Sequence, residues 1–199
     1  MCVKCKKISK IFLDLDDVCN ELTVHSLHYV GCKIEDYSEY PVEVGYDIVS
    51  ACNALHKSKN DWTVAEFWNA LPRSVWSNTP KSLYCDELID VCVDIIGKDN
   101  LFLATSPTKD PDCLAGKLEW IQENTPEFLH RQYVITPRKW LLANEKTLLI
   151  DDNGDNIKRF YLAGGNVIMF PRPWNCLHGM DSMSWVKFKM DKLFKDSFL

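Results

Sequence analysis

Apolar and polar positions follow two rhythms along this chain. Five short runs, residues 11–13, 101–104, 133–135, 148–150 and 167–170, are almost continuously apolar. Apolar runs of that length predict strands buried on both faces of a sheet. Other stretches repeat their apolar residues at helical spacing. They predict helices over 19–30, 47–56, 86–96, 114–123, 156–162 and 182–194, and one that starts at Thr63. Thr63-Val64-Ala65-Glu66 has the form of a capping box, and Pro72 ends the helix it opens. Gly97 is expected as a left-handed cap, and Gly164-Gly165 as a terminator. Gly31, Pro41 and Gly45 mark residues 31–47 as an irregular connection.

The order of elements carries the fold class. A helical region separates the first strand from the second, and beyond residue 97 strands and helices alternate. Alternation of this kind implies an α/β fold with a parallel sheet covered on both faces. Right-handed crossovers then bring the strand C-termini to one edge, where open α/β sheets bind ligands. Four of the strands end in polar groups. The first ends in Asp14 and Asp16, and the second in Thr105-Ser106-Pro107-Thr108-Lys109. The third ends in Thr136-Pro137-Arg138-Lys139, and the fourth in Asp151-Asp152-Asn153-Gly154-Asp155. Taken singly, each has a plain structural reading: an acidic turn, a helix cap before Pro107, a solvated basic turn in which Arg138 is the alternative cation, and a strand-to-helix turn. Together they place acids, hydroxyls and a lysine on one edge. Two carboxylates gathered there are costly without a cation or a shared proton. A hard divalent ion such as Mg²⁺, with its preference for oxygen ligands, would relieve that cost.

Composition narrows the class further. The chain has 199 residues, 46% of them hydrophobic, and a formal net charge of −5. That suits one domain, or one domain with a sizeable insertion. No basic stripe marks a groove for a long nucleic acid, and no apolar run approaches the length of a membrane span. The basic start lacks the apolar core of a signal peptide, so an intracellular, cytoplasmic protein is expected. The nine cysteines are irregularly spaced, which favours buried free thiols over a disulfide framework. Cys2 and Cys5 form a CxxC with no second pair, too few ligands for a structural zinc. Trp62, Phe67, Trp68 and Trp76 lie close together. At least two of them are expected in a small helical core; the others are candidates for a wall that stacks a flat ligand such as a nucleobase.

The order Asp14-Leu15-Asp16, Thr105-Ser106, Lys139 and Asp151-Asp152 resembles the four motifs of the haloacid dehalogenase (HAD) superfamily of phosphotransferases. The resemblance implies a Rossmann-like core with spatial strand order 3-2-1-4-5. Residues 1–19 and 98–199 would form that core, and residues 20–97 a helical cap inserted after the first motif. Within the superfamily, Thr105-Ser106-Pro107-Thr108-Lys109 and Leu149-Ile150-Asp151-Asp152 are similar to the second and fourth motifs of the 5'(3')-deoxyribonucleotidases. Asp17 departs from the Gly usual at its position, and Asn153-Gly154-Asp155 departs from Arg-Pro-Asp. The segment from Gly164 to Asn175 also resembles small phage-encoded phosphatases, which extends the expected setting to a virus-encoded protein in a host cytoplasm.

What the resemblance implies is an Mg²⁺-dependent phosphomonoesterase. Asp14 would be the nucleophile and Asp16 the general acid and base. Thr105 and Lys139 would complete the catalytic set, with Ser106 and Lys109 on the substrate phosphate. The metal would lie on Asp14, the main-chain carbonyl of Asp16 and Asp151, with Asp152 and Asp155 orienting its waters or Asp155 capping a helix. The expected partner is a small phosphorylated substrate, a nucleoside monophosphate first; a homodimer is left open. Two alternatives stand beside this: a polynucleotide 3'-phosphatase, and a non-catalytic binding protein that has kept the fold.

Overall fold

The computed structural model describes residues 8–56 and 61–195. The CxxC of Cys2 and Cys5 lies outside the described residues.

Five parallel strands form one sheet in the order β3-β2-β1-β4-β5: β1 Lys10–Asp14, β2 Leu101–Thr105, β3 Tyr133–Ile135, β4 Thr147–Asp151 and β5 Asn166–Met169. This is the order that the resemblance implied. Successive side chains on a strand point to opposite faces, and both faces are apolar here. Ile11, Leu13, Leu101, Leu103, Leu148, Ile150 and Ile168 point into the larger core. Phe12, Ala104 and Leu149 point into a smaller one with Phe160. Because neither face is wet, the runs read as continuous rather than alternating.

The larger core is closed by α5 (Cys85–Ile96), α6 (Pro111–Asn124) and α8 (Ser182–Lys195). They contribute Cys85, Leu88, Ile89 and Cys92, then Trp120 and Ile121, then Met183, Val186 and Met190. On the other face α7 (Gly154–Leu162) lays Phe160 against the sheet. Gly165, at the entry to β5, has no alternative: a Cβ there would lie 2.2 Å from the Phe160 ring.

Between β1 and α5, four short helices make a second apolar cluster: α1 (Leu22–Tyr29), α2 (Ile48–Leu55), α3 (Val64–Asn69) and α4 (Arg73–Ser77). Its buried members include Leu27, Ile34, Cys52, Phe67, Leu71 and Trp76, joined by Cys113 of α6 and by Trp174. The capping box at Thr63 is present in both directions. Six cysteines, Cys19, Cys32, Cys52, Cys85, Cys92 and Cys113, are buried free thiols, while Cys176 is exposed.

Several boundaries differ from the sequence pattern, each for a local reason. Helix α1 begins at Leu22 rather than at 19, because Cys19 and Asn20 donate to the Leu15 carbonyl and close a separate turn. Pro72 ends α3 but also opens α4, since a helix start has no use for a proline N–H. Helix α6 starts at Pro111 under an Asp110 cap, earlier than 114. Asn153 rather than Asp155 caps α7, accepting from the N–H groups of Asp155 and Asn156. Gly97 has the expected positive φ of 78° but ψ of 157°, so it leaves α5 in an extended, not a helical, left-handed conformation.

Candidate active site

Each strand end delivers its polar group for a backbone reason. Strand β1 stops at Asp14, whose Oδ1 accepts the N–H of Leu15 at 2.7 Å. The chain then turns tightly through Asp17, at φ 59°. Strand β4 stops at Asp151, whose Oδ1 accepts the N–H of Asn153 at 2.8 Å just before α7 begins. At the end of β2, the Thr105 carbonyl still accepts the N–H of Thr136 at 2.9 Å, and the Ser106 hydroxyl donates to the Thr136 carbonyl at 3.3 Å. These links bring β1, β2, β3 and β4 together at one edge.

Two charged groups form there. In the first, Lys139 is buried between two acids, its Nζ 2.6 Å from Asp14 and 2.7 Å from Asp151. Asn156 donates to both Asp151 oxygens, at 3.2 and 3.1 Å. Asp152 is buried beside them and accepts from Trp174 Nε1 at 2.7 Å. The structure thus brings Lys139 to the acids, while Arg138 is exposed. In the second group, Asp16 pairs with Lys117, which also donates to the Thr105 hydroxyl at 2.9 Å and the Ser106 carbonyl at 2.6 Å. The Thr105 hydroxyl in turn donates to Asp16 at 3.2 Å.

The charge count in the first group is unbalanced. When ionised, Asp14, Asp151 and Asp152 would bring three negative charges against the one of Lys139. Burial first, and the Asp151 charge second, push the Asp14 carboxyl well above the usual carboxylate range, against the pull of Lys139. The same two causes raise Asp152. Burial alone would lower the Lys139 pKa, but the charges of Asp14 and Asp151 outweigh it and raise it. Oxygens of Asp14, Asp151 and Asp152 lie within 4.8 Å of one another. Three hard oxygen donors two charges short of neutrality fit a divalent cation such as Mg²⁺. Asp152 belongs to this trio, a closer place than the outer role expected of it. Asp155 does not: it is exposed and pairs with Arg159 at 3.0 Å.

Next to Asp16 opens a cavity of about 950 Å³. Ser106, Lys109 and Lys117 line its polar side; Trp68, Trp76 and Trp174 line its apolar side. Trp68 and Trp76 stack with centroids 6.0 Å apart and planes 17° from parallel. The other two members of the aromatic group, Trp62 and Phe67, pack edge to face at 6.3 Å in the small apolar cluster. Gly116 makes this arrangement possible. A Cβ there would lie 2.5 Å from Trp76 Cβ and 2.7 Å from the Arg73 carbonyl, so only glycine lets α4 approach α6. The contact sets Trp76 over Lys117, whose Nζ is 5.4 Å from the ring centroid.

Lys117 and Trp174 touch the candidate groups without having been singled out from the sequence. Lys117 did leave a signal. It falls in the buried stripe Cys113, Gly116, Lys117, Trp120, Ile121 of α6, and a lysine on an apolar helix face needs a buried acid. Trp174 left none, since its partner Asp152 is brought to it only by the fold.

No family model matches the chain. Over 85 residues it is 31% identical to a 5'(3')-deoxyribonucleotidase of Bacillus subtilis (strain 168), and equally to one of Bacillus phage SPbeta. The match takes in 43% of this chain and 46% of each relative, so it spans about half the length of the proteins it resembles. Among solved structures, a hydrolase from Streptococcus pneumoniae TIGR4 superposes with a TM-score of 0.58 at 14% identity, over 93% of this chain and 99% of that one. A HAD family hydrolase from Deinococcus radiodurans R1, with bound phosphate and sodium, superposes with a TM-score of 0.57 at 9% identity, over 94% and 97%. The chain therefore has a HAD-like fold and resembles the nucleotidases in sequence over part of its length. Among the described residues no helix is long and apolar enough to cross a membrane.

Proposed function

We propose that the chain is an Mg²⁺-dependent phosphomonoesterase acting on a nucleoside monophosphate, with residues 1–19 and 98–199 as catalytic core and 20–97 as cap. One observation carries the reading: Asp14 and Asp16, two residues apart, are held by different lysines on the edge of a parallel sheet, beside a cavity. That arrangement suits a nucleophile and a proton carrier acting on one phosphorus.

Mg²⁺, held by Asp14 and Asp151 with the Asp16 main-chain carbonyl and Asp152 close by, would supply the positive charge that lets an anionic carboxylate approach an anionic phosphoryl group. The chain's own groups do the rest. Asp14 forms a bond to phosphorus while the ester P–O bond breaks, which splits one displacement into two easier ones. Lys139 keeps Asp14 oriented and balances charge on the phosphoryl oxygens, and Thr105 and Ser106 donate to those oxygens. Lys109, on the cavity wall, adds a second cation toward the phosphate. Asp16 protonates the departing alkoxide, then takes a proton from the water that hydrolyses the aspartyl-phosphate.

The substrate class rests on the cavity and on the relatives. A nucleobase presents a flat face that stacks on aromatic rings, and Trp68, backed by Trp76, offers such a face to the cavity. The test is phosphate release from a panel of 5'- and 3'-nucleoside monophosphates, sugar phosphates and a 3'-phosphorylated oligonucleotide, with Mg²⁺ or EDTA. Metal-dependent release from mononucleotides, lost in Asp14→Asn, is the expected result. Release from the oligonucleotide alone would replace the reading with end-processing of nucleic acid. No turnover above the variant's background would leave a binding protein.

A further inference from the structure

Asp17 directly follows the proposed general acid and is the one non-glycine residue at positive φ among the described residues, a conformation that suits glycine. A Cβ crowds the neighbouring carbonyl in that conformation, so a side chain stays there only where its surroundings hold it. Here they hold it from several sides. The buried carboxylate accepts the N–H of Thr23 at 2.8 Å and the Tyr37 hydroxyl at 2.8 Å on Oδ1, and the Thr23 hydroxyl at 2.7 Å on Oδ2. Both donor residues belong to the insertion. The Asp17 carbonyl accepts Arg172 Nε at 2.5 Å, and the same guanidinium lies 4.2 Å over the Tyr37 ring. The Asp17 N–H donates to Asn20 Oδ1 at 3.1 Å, and the other end of that carboxamide reaches the Asp16 carboxylate at 3.4 Å. One residue thus ties the turn that carries Asp16 to the insertion and to the segment after β5.

We propose that Asp17 is a positioning residue for Asp16: its carboxylate clamps the insertion to the turn, so that the place of the insertion and the aim of the proton-carrying carboxyl are set together. This rests on the reading of Asp16 as general acid, and Asp17 acts only through it.

The test compares Asp17→Gly and Asp17→Asn on two esters. A nucleoside monophosphate loses an alkoxide that needs a proton, whereas 4-nitrophenyl phosphate loses a phenolate that does not. Glycine accepts the positive φ and removes only the clamp. In Asp17→Gly, the single-turnover rate of leaving-group release should fall by at least about tenfold with the nucleotide and by less than about threefold with the nitrophenyl ester, because in that first step only the nucleotide relies on a proton from Asp16; the later hydrolysis of the aspartyl-phosphate is common to both. Asparagine keeps an acceptor for Thr23 and Tyr37 and can donate to the Thr23 hydroxyl, so Asp17→Asn should stay within about threefold of wild type on both. An equal fall on the two esters, no fall, or an asparagine variant as impaired as the glycine one would overturn the proposal. Should the glycine variant not fold, Tyr37→Phe removes one anchor and must show the same split in smaller measure; an unsplit result overturns it as well. A wild type that turns over neither ester would instead overturn the role of Asp16 itself. An active wild type with an unsplit variant overturns only that of Asp17.

Discussion

Asp14 and Asp16 are separated by a single leucine, yet the fold places them in two unlike electrostatic regions. Asp14 lies with Asp151 and Asp152 in a dry group where one lysine faces three carboxylates. Asp16 is 20% exposed and belongs to a balanced group, paired with Lys117 and bonded to Thr105 at the rim of a cavity. Like charges about 4 Å apart repel by about 4 kcal/mol at the effective dielectric of protein sites. The first region is therefore relieved by a further cation or by a proton, as the raised Asp14 and Asp152 indicate, and the second needs neither. Two chemically identical side chains acquire different surroundings, and the proposed roles follow them: nucleophile and metal ligand for Asp14, proton carrier for Asp16.

Removing the charge from each region should separate the two. The largest effect is expected from Asp14→Asn, which would remove the proposed nucleophile. Mg²⁺-dependent phosphate release should fall by about 10³-fold or more, with no difference between good and poor leaving groups. Lys117→Met comes next. It keeps the apolar stem over Trp76 but frees Asp16, so the single-turnover release of alcohol from alkyl phosphates should drop by about 10²-fold, the size of a general-acid contribution. If single-turnover release of 4-nitrophenolate fell equally, Lys117 would serve phosphate binding rather than Asp16. Trp68→Ala sharpens the cavity side alone. Loss of one stacking face, about 1–3 kcal/mol, should raise KM for mononucleotides by about tenfold, while kcat and the KM for sugar phosphates stay near wild type.

The smallest effect should come from Asp152→Asn, and its sign is the informative part. The amide can still accept from Trp174 while one uncompensated charge disappears. Without metal, the variant should melt about 2–4 °C above wild type, the shift that about 1 kcal/mol produces in a domain of this size. With Mg²⁺ the order should reverse, because wild type gains stability from binding and the variant gains less. Thermal unfolding with Mg²⁺ and with EDTA reads both. A variant less stable in EDTA would mean that the trio is not strained by its own charge.

Much of this arrangement was legible along the chain, and the reasons can be traced to particular residues. Strands β1, β2 and β4 were readable because a strand buried on both faces admits nothing polar between its two ends; Asp14, Thr105 and Asp151 are each the last residue of their strand. Helix starts were less legible. Asn153 and Asp110 cap their helices from positions that the apolar spacing does not reach. The insertion was legible as helical and no further, because its order depends on contacts such as that of Gly116 with Trp76.

The sequence by itself determined the fold class, the strand order through resemblance, and the meeting of acids, hydroxyls and a lysine on one edge. These follow from local rules: the period of apolar residues, and the place where each buried run must stop. Only the tertiary structure decided which cation serves which acid. Lys139 was expected on Asp14, but Lys117 reaches Asp16 from 101 positions away, and Trp174 reaches Asp152 from 22. It also decided that Asp152 sits inside the acidic group, that Trp68 and Trp76 face the cavity while Phe67 does not, and that Asp17 is clamped from three sides. Charge balance and burial are properties of a neighbourhood, and a chain acquires its neighbourhoods only when distant segments pack together.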